Sequence, residues 1–110
     1  MKFNEVLEKM KELHEKKDRD YSGGKEFGNF YESEKIGIPA WKGAFIRLQD
    51  KYSRACNLIK GQIPAVRNEK LEDTLFDLAV YSVIVYALYK KEVVESSGGK
   101  QLRLEFVERQ

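Results

Sequence analysis

The segment from Leu71 to Val94 constrains the fold of this chain most, because it is long, dense in apolar residues and free of glycine and proline. Its β-branched residues suit a strand, but strands of about 5–6 residues are the norm and this segment is much longer. Small and apolar residues recur in it at the three- and four-residue steps of a helix face. They are Leu71, Leu75, Leu78, Ser82 and Tyr86. We therefore predict a long central helix that is buried on most of its sides.

Two shorter helices are predicted before the central one. The first spans about Asn4 to Lys17, where apolar residues alternate with lysine and glutamate to form one apolar face. The second spans about Ala40 to Lys60, with Pro39 in its first turn and Gly61 at its end. Its apolar face consists of Trp41, Phe45, Leu48, Tyr52, Ala55 and Ile59. Together the helices predict an all-α fold with a three-helix bundle core.

A long connection and a C-terminal tail complete the chain. Residues 18–39 mix glycines with aromatic residues and predict an irregular connection, a kind of loop that is often functional. Near the end, Leu102, Leu104 and Phe106 alternate with charged residues and predict a short half-buried strand. We assign residues 1–95 to a helical domain and residues 96–110 to this tail. Because a lone strand edge seeks a partner and one chain covers the central helix poorly, we expect a homo-oligomer.

The charge balance and the single cysteine exclude several classes of protein. Lys and Arg number 20 against 18 Asp and Glu, so a net charge of +2 gives no general reason to bind long nucleic acid or a membrane. Cys56 alone forms neither an intramolecular disulfide nor a four-cysteine zinc site, and it suits a reducing compartment. The N-terminus lacks a signal peptide's apolar stretch, and the most apolar run, Leu78 to Tyr89, is roughly half of the ~20 residues that a membrane span needs. We expect a cytoplasmic protein.

Acidic residues occupy one face of the predicted central helix. Asp73, Asp77 and Tyr81 follow each other at steps of four residues, and Glu72 lies one position further round the helix. Asp77 has apolar neighbours on both sides in sequence, so we expect its carboxylate to be desolvated and to need a cation, a metal or several donors. The simpler interpretation is that Glu72 and Asp73 favour the helix N-terminus and that Asp77 forms a structural ion pair.

A matching set of charges lies on the predicted second helix. The set recurs at steps of three and four residues and consists of Arg47, Asp50, Lys51 and Arg54. An exposed face with a pair between Asp50 and Arg54 is the simpler explanation. If this face instead meets Asp73 and Asp77, it retains surplus positive charge, which can hold phosphate through charge-assisted hydrogen bonds.

Aromatic residues close to these charges are candidates to stack on a nucleobase, although each is more often a core residue. They are Phe27, Phe30, Tyr31 and Trp41. His14, the only histidine, is expected on a helix surface, and Cys56 is expected to be a small core residue. The glycines after Ser22 lack the pattern of a phosphate-binding P-loop, which argues against an ATPase.

Five short blocks of the sequence carry a resemblance to a known family. In chain order they are DY (20–21), GNF (28–30), IPAWKG (38–43), RLQDKYSRACNL (47–58) and LEDTLFDLAVY (71–81). From about Lys16 to Tyr89 the chain resembles small phage proteins of the nucleotide modification associated domain 1 type. These are similar in turn to the MazG-like all-α NTP pyrophosphohydrolases, helical bundles that bind a nucleotide between helices and commonly form dimers or tetramers. The resemblance implies that residues 1–95 form a nucleotide-binding domain.

The charged residues depart from the hydrolase pattern. MazG-like hydrolases hold Mg²⁺ with an ExxE block on one helix and an ExxD block on the next. Here the second helix offers only Asp50 among three cations, and the third helix spaces its acids differently. Because cations suit direct contact with phosphate, this departure favours binding over hydrolysis. By analogy with phage proteins that capture immune signals, we predict a sponge that sequesters a phosphorylated, in particular cyclic, nucleotide in the host bacterial cytoplasm and inhibits anti-phage defence.

The predicted ligand site combines the cations, acids and aromatic residues singled out above with one asparagine. It consists of Arg47, Lys51, Arg54, Asp73, Asp77, Tyr81, Phe30, Trp41 and Asn29. This interpretation requires no catalytic residue and no cofactor, and its partners are the nucleotide and further copies of the chain. One alternative is a Mg²⁺-dependent (d)NTP pyrophosphohydrolase whose metal ligands are Asp50, Glu72, Asp73 and Asp77. A second alternative is a structural helical module that binds other proteins.

Overall fold

In the part of the chain that the structure describes, the regular elements are helices, which confirms the predicted all-α character of the fold. The computed structural model describes residues 1–22, 26–61 and 70–97. The elements in chain order are α1 (Phe3–Ser22), a 3₁₀ helix (Gly28–Ile36), α2 (Ala40–Ile59), α3 (Leu71–Tyr89) and a π-helical segment (Lys90–Glu95) that continues α3. The predicted C-terminal strand lies outside the described residues.

An antiparallel pair formed by α2 and α3 is the centre of the fold. The Trp41 ring at the start of α2 meets the Tyr89 ring at the end of α3, with centroids 5.0 Å apart. In the middle of the pair, the Lys51 side chain on α2 reaches Asp77 on α3. The two helices approach closely because α2 turns small residues inward. The buried residues along the pair are Ala40, Ala44, Ala55, Thr74, Ile84 and Leu88.

The apolar face predicted for α2 is therefore only partly its buried face. Alanines occupy the contact with α3, and larger residues of the predicted face are displaced to its flank. Phe45, Tyr52 and Ile59 remain 44%, 59% and 66% exposed. Likewise, α3 is not buried on most sides, because Leu75 and Tyr86 are about half exposed.

The connection predicted between the first two helices contains regular structure. No glycine or proline interrupts residues 18–22, and α1 continues to Ser22 rather than ending near Lys17. The 3₁₀ helix then folds back so that Phe30 is buried against Ala40 and Ala44. Burial of the Phe30 ring stabilises the 3₁₀ helix, since a buried phenylalanine is worth about 1.5–3 kcal/mol.

The remaining helix, α1, packs against the 3₁₀ helix and α3. It thereby covers one side of the α2–α3 pair at the level of Asp77 and Ile84, which share a cavity with α1 residues. No helix in the described part of the chain is both long enough and apolar enough to cross a membrane.

Candidate functional site

A cleft of about 130 Å³ lies where α1, the 3₁₀ helix and α3 meet. Four residues predicted for the ligand site line it: Asn29, Phe30, Asp77 and Tyr81. They come together because the 3₁₀ helix places Asn29 and Phe30 opposite the α3 face that carries Asp77 and, one turn later, Tyr81. Apolar side chains form the rest of its α3 wall. They are Phe76, Val80 and Ile84.

The opposite wall of this cleft comes from α1, a helix that contributes no residue to the predicted ligand site. His14, Lys17 and Asp18 line the cleft from successive turns of one helix face. Their three- and four-residue spacing marks a shared face in the sequence. Nothing local indicates that this face meets α3, because that contact depends on the chain folding back after residue 22.

Lys51 and Asp77 form an ion pair at this site, a contact that fits both the simpler and the functional interpretation of Asp77. Lys51 Nζ lies 3.4 Å from Asp77 Oδ2, and the side chains are 24% and 32% exposed. The expectation that Asp77 is desolvated is therefore met only in part, because about a third of its side chain remains accessible to water. The ammonium of Lys51 also lies 5.8 Å from the centroid of the Tyr81 ring, within the range of a cation–π contact.

A second cation lies over a second aromatic ring beside the cleft. The Arg47 guanidinium carbon is 4.8 Å from the centroid of the Phe30 ring. Phe30 in turn meets Tyr81 edge to face, with centroids 5.9 Å apart. The two rings therefore connect Arg47 to Lys51, and this arrangement places two positive charges along the α2 side of the site.

Phe30 and Trp41 are not placed to stack on a nucleobase in the cleft, in contrast to the sequence prediction. Phe30 is only 7% exposed and belongs to the core. Trp41 lies at the start of α2 against Tyr89 and does not line the cleft. Of the two rings only Phe30 lies beside a charge of the candidate site, that of Arg47, and both rings pack against other side chains in this structure.

Asp77 is the only predicted charge that lines the cleft, since Lys51 and Arg47 lie beside it without lining it. Arg54 and Asp73 are exposed and do not line the cleft, and the same is true of Asp50 and Glu72. In residues 1–22, 26–61 and 70–97, no three His, Cys, Asp or Glu side chains are grouped as metal ligands. The four acids considered for a magnesium site are thus not gathered in this arrangement.

Phe27 forms the corner between α1 and the 3₁₀ helix. Its backbone φ is +58°, an uncommon conformation for a residue with a side chain. Two residues of α1 hold it there: Asp18 Oδ1 accepts a 3.0 Å hydrogen bond from the Phe27 N–H, and the His14 ring lies 5.3 Å from the Phe27 ring. Since His14 and Asp18 also line the cleft, the same residues shape its wall and anchor the corner.

No protein-family model matches this chain, and neither a curated protein nor a solved structure gives a significant match. The resemblance to the phage family stays a prediction.

Proposed function

We propose that this protein binds a phosphorylated nucleotide, in particular a cyclic nucleotide signal, and sequesters it without hydrolysis. The observation that carries the proposal is the Lys51–Asp77 pair beside the cleft. A carboxylate already neutralised by an ammonium is poorly suited to balance the charge of Mg²⁺, whereas an exposed part of that ammonium can contact phosphate.

The cleft accommodates only part of such a ligand. Its volume of about 130 Å³ is below the 300–1,000 Å³ typical of pockets that enclose a whole ligand. A nucleobase occupies the cleft in this proposal, and the polar side chains of Asn29, Asp77 and Tyr81 read its edge. The sugar and the phosphates lie outside it.

Cations on two sides of the cleft hold the phosphates. Lys51 and Arg47 approach from α2, and Lys17 approaches from the cleft wall formed by α1. Charge-assisted hydrogen bonds from such groups are the strong contacts to phosphate oxygens. Arg54 and Asp73 then act at the periphery. The ring of His14 takes the stacking role that is predicted from the sequence for Phe30 and Trp41.

The proposal includes the other properties predicted from the sequence. The chain acts in the cytoplasm, in a host bacterium if a phage encodes it, and it assembles with further copies of itself. Capture of a signal requires the protein in stoichiometric amounts but no turnover.

Ligand capture from a defined panel tests this proposal. The full chain is incubated with cyclic dinucleotides, cyclic trinucleotides and ADP-ribose derivatives, washed, and heated to release whatever remains bound. Intact nucleotide recovered from the wild type and from Lys42→Ala, but at much lower yield from Lys51→Ala, is the expected result. Lys42 is a suitable control because it is an exposed lysine on the same helix that lies over Trp41, outside the cleft.

Two other results would replace the proposal. Pyrophosphate release from a dNTP in the presence of Mg²⁺, abolished by Asp77→Asn, would establish the pyrophosphohydrolase instead. Failure to bind any nucleotide of the panel, together with unchanged biological function of the Lys51→Ala and Arg54→Ala variants, would favour the structural helical module.

A further inference from the structure

The α2–α3 pair has a second face, on the side away from the cleft. On each helix this face is a stripe whose positions follow steps of four, three, four, four and three residues. The stripe on α2 consists of Trp41, Phe45, Leu48, Tyr52, Cys56 and Ile59, and the stripe on α3 consists of Leu71, Leu75, Leu78, Ser82, Tyr86 and Tyr89. Neither stripe contains a charged residue, although 35% of the residues in the chain are charged. Residues that pack between the helices of a bundle have this spacing.

The two uncharged stripes form one continuous surface. They adjoin because Trp41 in the α2 stripe contacts Tyr89 in the α3 stripe, at one end of an antiparallel pair. The opposite side of the pair is the one that carries Asp77 and is covered by α1 and the 3₁₀ helix. The stripes and the cleft therefore lie on different sides of the same two helices.

Large side chains of this surface are exposed in a single chain. Phe45 and Tyr52 of α2 are 44% and 59% exposed, and Leu75 and Tyr86 of α3 are 48% and 54% exposed. A helix of a monomeric protein usually presents charged and polar residues to water at such positions. An apolar surface that contains several large exposed side chains marks a site of interaction.

The dimensions of this surface match a protein interface. Helices of 20 and 19 residues are roughly 30 Å long, and two of them side by side present about 600 Å². Two such surfaces face to face bury about 1,200 Å², which reaches the lower end of stable specific interfaces. The area is thus sufficient without any contribution from the rest of the chain.

We propose that this surface docks a second copy of the same chain, so that α2 and α3 of the two copies form a four-helix bundle. Self-association fits because a two-fold interface places the same patch opposite itself, and residues near the axis meet their own copies. Charged residues there would repel each other, whereas an uncharged surface with helix-packing spacing is complementary to itself. The clefts of the two copies then face outward, on opposite sides of the bundle.

The self-association included in the proposed function takes place through this surface, and association through it does not depend on nucleotide binding. The test is therefore the molar mass of the full chain in the absence of ligand, measured by light scattering or sedimentation at micromolar concentration. We expect the wild type to have the mass of two chains or an even multiple. Tyr52→Glu and Tyr86→Glu each halve that mass, because each places a charge in the uncharged surface.

Ile46→Glu is the matched control. Ile46 lies on α2, is 51% exposed and lines a shallow surface hollow with Arg47 and Ser33, away from the stripes. This variant keeps the wild-type mass, and circular dichroism verifies that all three variants remain helical. A monomeric wild type, an unchanged mass in both tyrosine variants, or dissociation of Ile46→Glu as well would overturn the proposal. If one tyrosine variant fails to fold, the other decides the outcome.

Discussion

Lys51 Nζ lies 3.4 Å from Asp77 Oδ2, and this pair joins the cation-bearing face of α2 to the acidic face of α3. About a quarter of the Lys51 side chain and a third of the Asp77 side chain remain accessible to water. The pair is therefore a partly exposed ion pair rather than a buried one. Its partial exposure determines how each partner should respond to substitution.

Asp77→Asn should lower the free energy of unfolding slightly, by about 0.2–1 kcal/mol, because a partly exposed ion pair contributes little. Salt should reduce the difference further, since solvent screens these charges. Urea unfolding of the wild type and the variant, with a chelator present and at two salt concentrations, measures this effect. A stabilised variant would mean instead that Asp77 is repelled by other acids, as in a metal-free metal site.

Arg47→Met should weaken ligand binding and leave stability nearly unchanged. The methionine side chain can still cover the Phe30 ring, but the positive charge 4.8 Å above that ring is lost. A hydrogen bond to a charged group is worth about 1.5–3 kcal/mol, so affinity should fall roughly 10- to 100-fold. Titration calorimetry with a captured nucleotide, paired with thermal melts, separates the two effects. Equal affinity for both proteins would remove Arg47 from the phosphate site.

Gly43→Ala should destabilise the protein, although alanine is favoured over glycine in a helix by about 1 kcal/mol. A Cβ atom at position 43 would lie 2.8 Å from Ser33 Oγ and 3.0 Å from Ser33 Cβ, so the 3₁₀ helix would have to move. Chemical denaturation measures whether the free energy of unfolding falls or rises. In Ser33→Gly as background, the same substitution should become neutral or stabilising. A stabilised Gly43→Ala single variant would show that the close approach is not a constraint.

Asp18→Ala should loosen the corner at Phe27. It removes the acceptor of the Phe27 N–H hydrogen bond, a contact worth about 0.5–1.5 kcal/mol, while the left-handed backbone at Phe27 remains unfavourable. Faster amide exchange at Phe27 and Phe30 than in the wild type is the expected readout. Glu15→Ala, an exposed substitution one turn away on α1, is the control and should leave exchange at both residues unchanged. Equal exchange in all three proteins would contradict the anchoring role.

Periodic patterns are sufficient to predict the three α-helices but neither the 3₁₀ helix nor the faces that the helices bury. The spacing of Leu71, Leu75 and Leu78 located α3, and Pro39 and Gly61 bounded α2 closely. The sequence does not reveal that alanines rather than aromatics occupy the α2–α3 contact, because close approach of two helices is a property of the packed pair.

The sequence predicts only part of the candidate site, and the rest escapes prediction for a similar reason. The charged faces of α2 and α3 were recognisable from their spacing, and Lys51 and Asp77 do meet. The α1 wall with His14 and Asp18 was missed because it depends on the fold-back of the chain, and Phe30 was read as a stacking residue because its burial in a 3₁₀ helix has no periodic signature.

Phosphorus NMR of a captured nucleotide with the full chain tests the central claim most directly. The account predicts phosphorus signals that are shifted or broadened by wild-type protein and by Lys42→Ala, much less so by Lys51→Ala, and unchanged in number over hours with Mg²⁺ present. Appearance of pyrophosphate or monophosphate signals would contradict it, and so would a spectrum that Lys51→Ala perturbs as strongly as the wild type.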